Sequence, residues 1–593
     1  MAAKTLAHTA VPERVEVSAG MRYALLVLAA VLLFGVFSRE IYDSDFWWHL
    51  RSGQYIVEQH RLPAPDPFSW TTAMTRDTTP GEAGTRQFNL TMEWLAQVAF
   101  YGLWRVGGSA AIVAARALSM TAMCGLIGLI AWRRRQSWFA ALFAAFACTL
   151  VARNFALDRP YQVTFLALAA TMALLEFRRW LWLLPPLFVV WANCHAGFFL
   201  GWVVLGAWCA ESLAARRIER SLWVWSAAAV LASGLNPNGF RIVNTLLAYR
   251  GSFLVSRVNE WARPAMWPPS AFTVLLAIAA VVLVLARRRV RVADWLIFAA
   301  FAGAALSARR NVILMGLAAP VMIAGYAPWK ERARESDTRS DGKLKHAPHT
   351  PWNVRIASWG PAVAAVLMLI ALGAGFAQGS FFQLRSGEWK VPKGAADFLL
   401  RHGVRERMYN SYEYGGYLIW RLWPQERTFI DGRGLSESVF QDYARILYNH
   451  DASDGQPDAE ALLDRYGVQV IVMNTMEAAA GLVYSLAPAL ADPAQSRWKL
   501  VYNDAQAVIF MRTPPAGVAV LNSLDVLTHM EEECAVHLEH EPESPGCARS
   551  LGQVFSKVGD FGRARKWLGI YLEHPHARDE EAENAYRQML GVK

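Results

Sequence analysis

The chain has 593 residues, of which 54% are hydrophobic and only 18% charged, with a mean hydropathy of +0.18. Soluble domains carry about 25% charge, and here the deficit is concentrated before residue 380, which excludes a wholly soluble protein and predicts an integral membrane protein with a soluble tail. The net charge of +10 sits largely in short arginine clusters beside apolar segments, which is topological charge and not a nucleic-acid footprint.

Residues 1–21 read as a polar cytoplasmic tail. The first apolar run lacks a small-residue cleavage site, so it is expected to stay as a signal anchor. A span needs about 20 mostly apolar residues. On that basis about eleven spans are predicted, at 22–40, 109–131, 137–152, 161–177, 180–194, 197–213, 221–235, 270–287, 292–307, 311–328 and 357–378. Together they make a transmembrane domain over 22–379. Arg133–Arg135, Arg178–Arg179, Arg216–Arg217, Arg287–Arg289 and the basic stretch 330–345 then share one side, which the positive-inside rule makes cytoplasmic. The opposite side receives a long first outer loop, 41–108, and everything after 379, in an inner bacterial membrane.

Directly after the first span stands YDSDFWWHLRSGQYIVEQH, Tyr42 to His60. Asp43 and Asp45 lie one residue apart, and a helix starting at Asp45 puts His49 on the same face. Trp47 and Trp48 are interfacial residue types. The stretch reads either as an acidic site at the membrane surface or as a solvated exit loop with an aromatic anchor. Residues 46–59 and 92–106 have helical apolar spacing and are expected to lie on the outer surface.

Other polar residues converge on the outer ends of spans: Glu93, Arg153, Asp158, Arg159, Gln162, Asn193, His195, Asn236, Glu260, Arg309, Arg310 and Asn311. Glu93 reads best as a charge complementing a helix N-terminus. His195 is either a hydrogen-bonded helix-break residue or part of a site. Arg153, Arg159, Arg309 and Arg310 face away from the cytoplasm. Such arginines either pair with a carboxylate such as Asp158 or grip an anionic ligand such as a lipid phosphate. Paired carboxylates can act as a general base or bind a divalent cation, here Mg or Mn, through Asp43 and Asp45.

Residues 380–515 read as an extracytoplasmic α/β domain with short strands RMYNS, TFID, VQVIVMN, WKLVYN and AVIFMR. Tyr412, Glu413, Asp431 and Arg433 either face the membrane-side cleft or serve internal packing. Residues 516–593 form a helical segment, with 546–592 read as two helices of one tetratricopeptide-like (TPR-like) hairpin. Cys534 and Cys547 can form a disulfide if this tail is extracytoplasmic. No Walker loop, HExxH or GxSxG is present, which argues against nucleotide hydrolysis, a metalloprotease and an α/β-hydrolase.

With these residues in view the chain resembles the GT-C superfamily of membrane glycosyltransferases. Asp43-Ser44-Asp45 after the first span, the long outer loop, about eleven spans and an outer C-terminal domain carry the resemblance over roughly residues 20–380. It is similar in particular to bacterial members with DxDxWWHL, an RPxQ-like motif (Arg159-Pro160-Tyr161-Gln162), NxHxGF (Asn193 to Phe198) and Arg310-Asn311. The resemblance implies a polyprenyl-phosphate-linked sugar donor, a glycan, lipid or protein acceptor, and a catalytic base at Asp43 or Asp45, with His49 beside it. Substrate contacts are then expected at Arg153, Asp158, Arg159, Gln162, His195, Glu260, Arg309, Arg310, Tyr412, Glu413 and Arg433. A non-enzymatic scaffold that binds a periplasmic protein partner through its tail is the alternative. Transport of a lipid-linked precursor is disfavoured, because the inner halves of the spans lack charged residues.

Overall fold

The computed structural model describes residues 18–249, 252–253, 259–328, 351–452, 455–492, 494, 497–575 and 579–590. The basic stretch 330–345 and most of the N-terminal tail lie outside these residues. Apolar helices occupy all eleven predicted windows: α1 (Ala19–Phe37), the second half of α4 (Trp94–Arg135), α5 (Trp138–Ala152), α6 (Tyr161–Phe177), α7 (Leu184–Cys194), α8 (Phe199–Ala214), α9 (Arg220–Ala232), then Ala271–Leu285, Val292–Ser307, Val312–Tyr326 and Pro351–Ala377. Two further helices lie in the first loop, α2 (Asp45–Gln59) and α3 (Glu82–Thr91). Among the described residues, five stretches are long and apolar enough to cross a membrane: Ala19–Phe37, Glu82–Arg135, Trp138–Phe155, Ala196–Ala214 and Trp359–Ala377. Four more, Tyr161–Phe177, Leu181–Cys194, Ala271–Leu285 and Val292–Ser307, are apolar but shorter. This is a multi-pass membrane protein.

The bundle is organised around α4 and the helix Val312–Tyr326. The latter is buried on every side from Ile313 to Ala324, as a helix without a polar face must be. α4 packs on α1, α5 and α6. It breaks at Gly107–Gly108, where Gly108 takes φ +56°, so that Trp94–Val106 turns away from the apolar half that follows.

The C-terminal part carries a four-stranded sheet. Its strands are β1 (Met408–Asn410), β2 (Val470–Met473), β5 (Lys499–Asn503) and β6 (Val508–Met511), in the order β1-β2-β6-β5. The β1–β2 pair is parallel and the others antiparallel. β3 (Met476–Glu477) and β4 (Leu482–Val483) form a separate hairpin. Four of the five predicted strands form; TFID makes only a single bridge, Thr428 to Ser69 of the first loop. The tail ends in four helices, Asp525–His540, Gly546–Lys557, Phe561–Leu572 and Glu580–Met589. After residue 546 there are three helices where the sequence predicts two. Asp579 starts the last one by accepting N–H bonds from Glu581 and Ala582. Cys534 and Cys547 are joined in a disulfide.

The first loop does not lie on the bundle surface as expected. α2 is wedged between α4 and the helix Gly415–Leu422. Phe46, Trp47 and Leu50 share one core with Tyr417, Leu418 and Val472. Trp47 sits edge-on to Tyr417, with ring centroids 5.1 Å apart. Trp47 and Trp48 are therefore packing residues, not headgroup anchors. Burying their large apolar area against a second domain outweighs what a lipid interface offers them.

Candidate active site

Asp43 and Asp45 flank the start of α2, where Asp43 Oδ1 accepts the Asp45 backbone N–H at 3.2 Å. Facing them is Arg159, in the turn before α6. Its Nη2 donates to Asp43 Oδ1 at 2.8 Å, while Nε donates to Asp43 Oδ2. Nη1 donates to Glu260 Oε1 at 3.0 Å and pairs with Asp45 Oδ2 at 3.1 Å. Four predicted site residues from three distant stretches thus meet at one guanidinium.

The turn that carries Arg159 is fixed from behind. Gln162 donates its amide to the Leu157 carbonyl, and the Arg159 N–H bonds the same carbonyl at 2.9 Å. Asp158 points away from the site into a fully buried ion pair with Arg116 of α4, which also binds the Phe37 and Arg39 carbonyls. Asp158 and Gln162 therefore hold the turn. Glu260 is fixed by the next turn. Arg309 donates to Asn259 Oδ1 at 2.8 Å, and the Arg310 guanidinium lies 4.5 Å over the Trp261 ring. Arg153 is exposed at the end of α5, and no described contact joins it to this cluster.

A second cluster adjoins the first. His49 Nδ1 is 3.6 Å from Glu93 Oε2, and His195 Nε2 is 3.8 Å from Glu93 Oε1. His195 Nδ1 accepts the Gly197 N–H at 3.0 Å and meets the Thr164 hydroxyl at 2.8 Å, which leaves the proton on Nε2, toward Glu93. His195 is thus both the helix-break residue and a member of the cluster. Glu93 was expected to be a helix-end charge. It makes no cap bond and turns inward, buried, between two histidines. In a sequence without its fold, a glutamate at a helix start gives no sign of this.

Burial and the neighbouring Asp43 push Asp45 up to about 6, against the pull of Arg159. Burial and the nearby Asp45 push Glu93 up to about 8, while burial holds His49 well below its usual range. At neutral pH the second cluster is therefore uncharged, and Asp45 titrates just below it.

The C-terminal domain closes the site from above. A Cβ at Gly432 would lie 1.8 Å from Asp45 Oδ1, and one at Gly416 would lie 2.3 Å from the Ser44 carbonyl. Both glycines are needed for this close approach. Tyr412 lies within electrostatic reach of Asp45 and Arg159. Glu413 does not join them. It is half-buried, facing Glu477, Glu533 and Tyr484 inside the C-terminal domain. Arg433 is not open to a substrate either: it is buried between Asp66 and Asp431, at 2.6 Å from each, with Ser69 3.0 Å from Nη2. A small cavity is lined by Asp431 with Ser69, Thr71, Thr72, Phe429 and Ser436, and touches neither Asp43 nor Asp45. Its Ser69, Thr71 and Thr72 hydroxyls all donate to neighbours within the chain.

A divalent cation does not fit Asp43 and Asp45 as arranged. Both Asp43 oxygens are taken by Arg159, and among the described residues no three His, Cys, Asp or Glu side chains converge as a metal site requires.

The fold, a helical bundle whose acidic first loop lies under a C-terminal domain with a sheet, is shared with solved oligosaccharyltransferase structures. No family model and no curated protein sequence matches the chain. Among solved structures, the archaeal oligosaccharyltransferase AglB of Archaeoglobus fulgidus, bound to an inhibitory peptide and a dolichol-phosphate, is similar at a TM-score of 0.54 and 10% identity, over 96% of this chain and 86% of that one. A second A. fulgidus oligosaccharyltransferase, in the apo form, gives 0.50 at 12% identity over 84% and 76%. ArnT from Cupriavidus metallidurans, bound to undecaprenyl phosphate, gives 0.45 at 16% identity over 85% and 100%.

Proposed function

We propose that this protein transfers a sugar from a polyprenyl-phosphate-linked donor to an acceptor at the outer face of the cytoplasmic membrane. The observation that carries this reading is the meeting of Asp43, Asp45, Arg159 and Glu260 on a fold shared with a membrane oligosaccharyltransferase along nearly its whole length. Two further features support the outer-face placement. The Cys534–Cys547 disulfide belongs in an oxidising compartment. The basic clusters at the far ends of α4, α6 and α8 lie at the opposite end of the bundle from Asp43, as the positive-inside rule requires.

In this reading Asp45 takes the proton from an acceptor hydroxyl. It meets Arg159 through one oxygen, where Asp43 uses both, and so is the less committed of the two aspartates. The acceptor oxygen bonds to the anomeric carbon as the bond to the lipid phosphate breaks, with inversion. Arg310 and the free edge of Arg159 stabilise the charge on the departing phosphate. Asp43 keeps Arg159 in place. Tyr412, on the roof, is positioned to meet the acceptor.

The test is sugar transfer from lipid-linked donors by purified protein, with Asp43→Asn and Asp45→Asn compared. Loss in the Asp45 variant is expected; full activity in both removes the assigned base. The scaffold alternative rested on a helical hairpin needing a partner. Residues of that segment share a core with Met476, and Val483 packs against it, so the sheet domain itself covers the face.

A further inference from the structure

We propose that Arg159 occupies the place a divalent cation would take in this acidic site, so that the carboxylates are gathered by a guanidinium of the chain itself and no metal ion is taken up there. The inference deepens the glycosyltransferase reading, but its test does not require sugar transfer to be observed.

Three carboxylates surround one guanidinium from two parts of the chain: Asp43 before α2 and Asp45 as its first residue, and Glu260 on the turn Asn259–Trp261. A guanidinium offers five N–H donors in one plane. Nε and Nη2 use both Asp43 oxygens, and Nη1 serves Asp45 and Glu260 at 3.1 and 3.0 Å. One N–H, on Nη2, is left over. This planar fork is wider than any metal ion. A magnesium ion needs oxygens at about 2.0–2.1 Å in octahedral array, which puts adjacent ligand atoms about 3 Å apart and opposite ones about 4 Å apart. Carboxylates spread around the edges of a guanidinium stand too far apart for that, which matches the absence of a converging group among the described residues.

Charge alone gives the opposite expectation. Three carboxylates and one guanidinium leave a negative excess that attracts cations. Geometry is what excludes the ion: the Arg159 guanidinium uses both Asp43 oxygens, and the turn that carries it is fixed. The Arg159 backbone N–H is tied to Leu157, Gln162 closes the same turn, and the Arg116–Asp158 pair anchors the preceding residue in the bundle core. A lysine would supply the charge without the fork that reaches three carboxylates at once.

The test is Mn²⁺ titration of the purified full-length protein, followed by electron paramagnetic resonance, beside an Asp43→Asn/Asp45→Asn double variant. The wild type is expected to bind no more Mn²⁺ than the double variant. Saturable binding on the order of one ion per chain in the wild type, lost in the double variant, overturns the proposal. Arg159→Met frees the carboxylates and is expected to gain such a site. A monodisperse Arg159→Met protein without that gain also counts against the proposal. If that variant does not fold, the comparison of wild type with the double variant decides alone. Transfer that a chelator abolishes and Mn²⁺ restores would sink this inference and leave the glycosyltransferase reading standing. Absence of both transfer and Mn²⁺ binding would do the reverse.

Discussion

Asp45 and Glu93 show how far residue type alone carries and where it stops. Paired aspartates after a first span are visible as chemistry, and Asp45 holds the predicted place at the start of a helix. A general base must be ionised to work, and burial raises Asp45 to about 6. Transfer is therefore expected to fall with unit slope as pH drops through about 6, and Asp45→Asn is expected to cost about 10²–10⁴-fold at pH 7. A flat pH–rate profile between pH 5 and 7 would contradict the assignment. Glu93 carried no such signal, because only the fold shows that it points between His49 and His195. Raised to about 8, it is protonated at neutral pH, so the uncharged Glu93→Gln is close to an isostere. That variant is expected to keep activity within about threefold at pH 7 and to lose any alkaline limb near pH 8 seen in the wild type. A large loss at pH 7 would mean that the carboxylate acts ionised. Glu413 was read either as a cleft residue or as internal packing, because its polar, aromatic neighbourhood in YNSYEYGGYLIW fits both in one dimension; the fold sets the side chain toward Glu477, Glu533 and Tyr484.

At the scale of elements, hydrophobic periodicity placed the apolar helices and α2, because a buried face repeats whatever covers it. It did not tell what covers α2. An amphipathic helix has the same pattern against lipid and against a protein domain, and here the cover is Gly415–Leu422, nearly 370 residues along the chain. The close approach depends on glycine at two positions. Gly432 has an ordinary backbone conformation, so what forbids a side chain there is space: a methyl group would collide with the Asp45 carboxylate. Gly432→Ala is expected to fold and reach the membrane, since the conflict is with one side chain, and to lose on the order of tenfold or more in transfer by displacing the base. Wild-type activity in that variant would show that the roof does not touch Asp45 in the working protein.

At the scale of the whole molecule, the first loop and the C-terminal domain behave as one body clasping the site. Ile41 pairs with the Arg385–Gly387 segment, Phe68 and Trp70 exchange backbone bonds with Thr428, and Arg433 is buried between Asp66 of the loop and Asp431 of the domain. None of the loop-to-domain bonds was legible from spacing, because each joins residues more than 340 positions apart. Arg433 was read either as a cleft residue or as half of an internal pair; the pair holds, with a third partner from the loop. Removing one member of a buried ionic group leaves the others unpaired in low dielectric and typically costs about 3–5 kcal/mol. Arg433→Met would leave two buried carboxylates facing each other. It is therefore expected to lower the melting temperature in detergent and to open the loop 61–81 to limited proteolysis while the spans stay protected. Asp66→Asn removes one charge but keeps hydrogen-bonding capacity, and should do less of both. The same argument predicts that residues 380–593 expressed alone expose the face that Phe46, Trp47 and Leu50 cover, and so self-associate, whereas the full chain stays monodisperse. A monomeric isolated tail, or an Arg433→Met protein as stable as the wild type, would mean that the loop and the domain are not held together by these contacts, and that Asp45 works without a fixed roof.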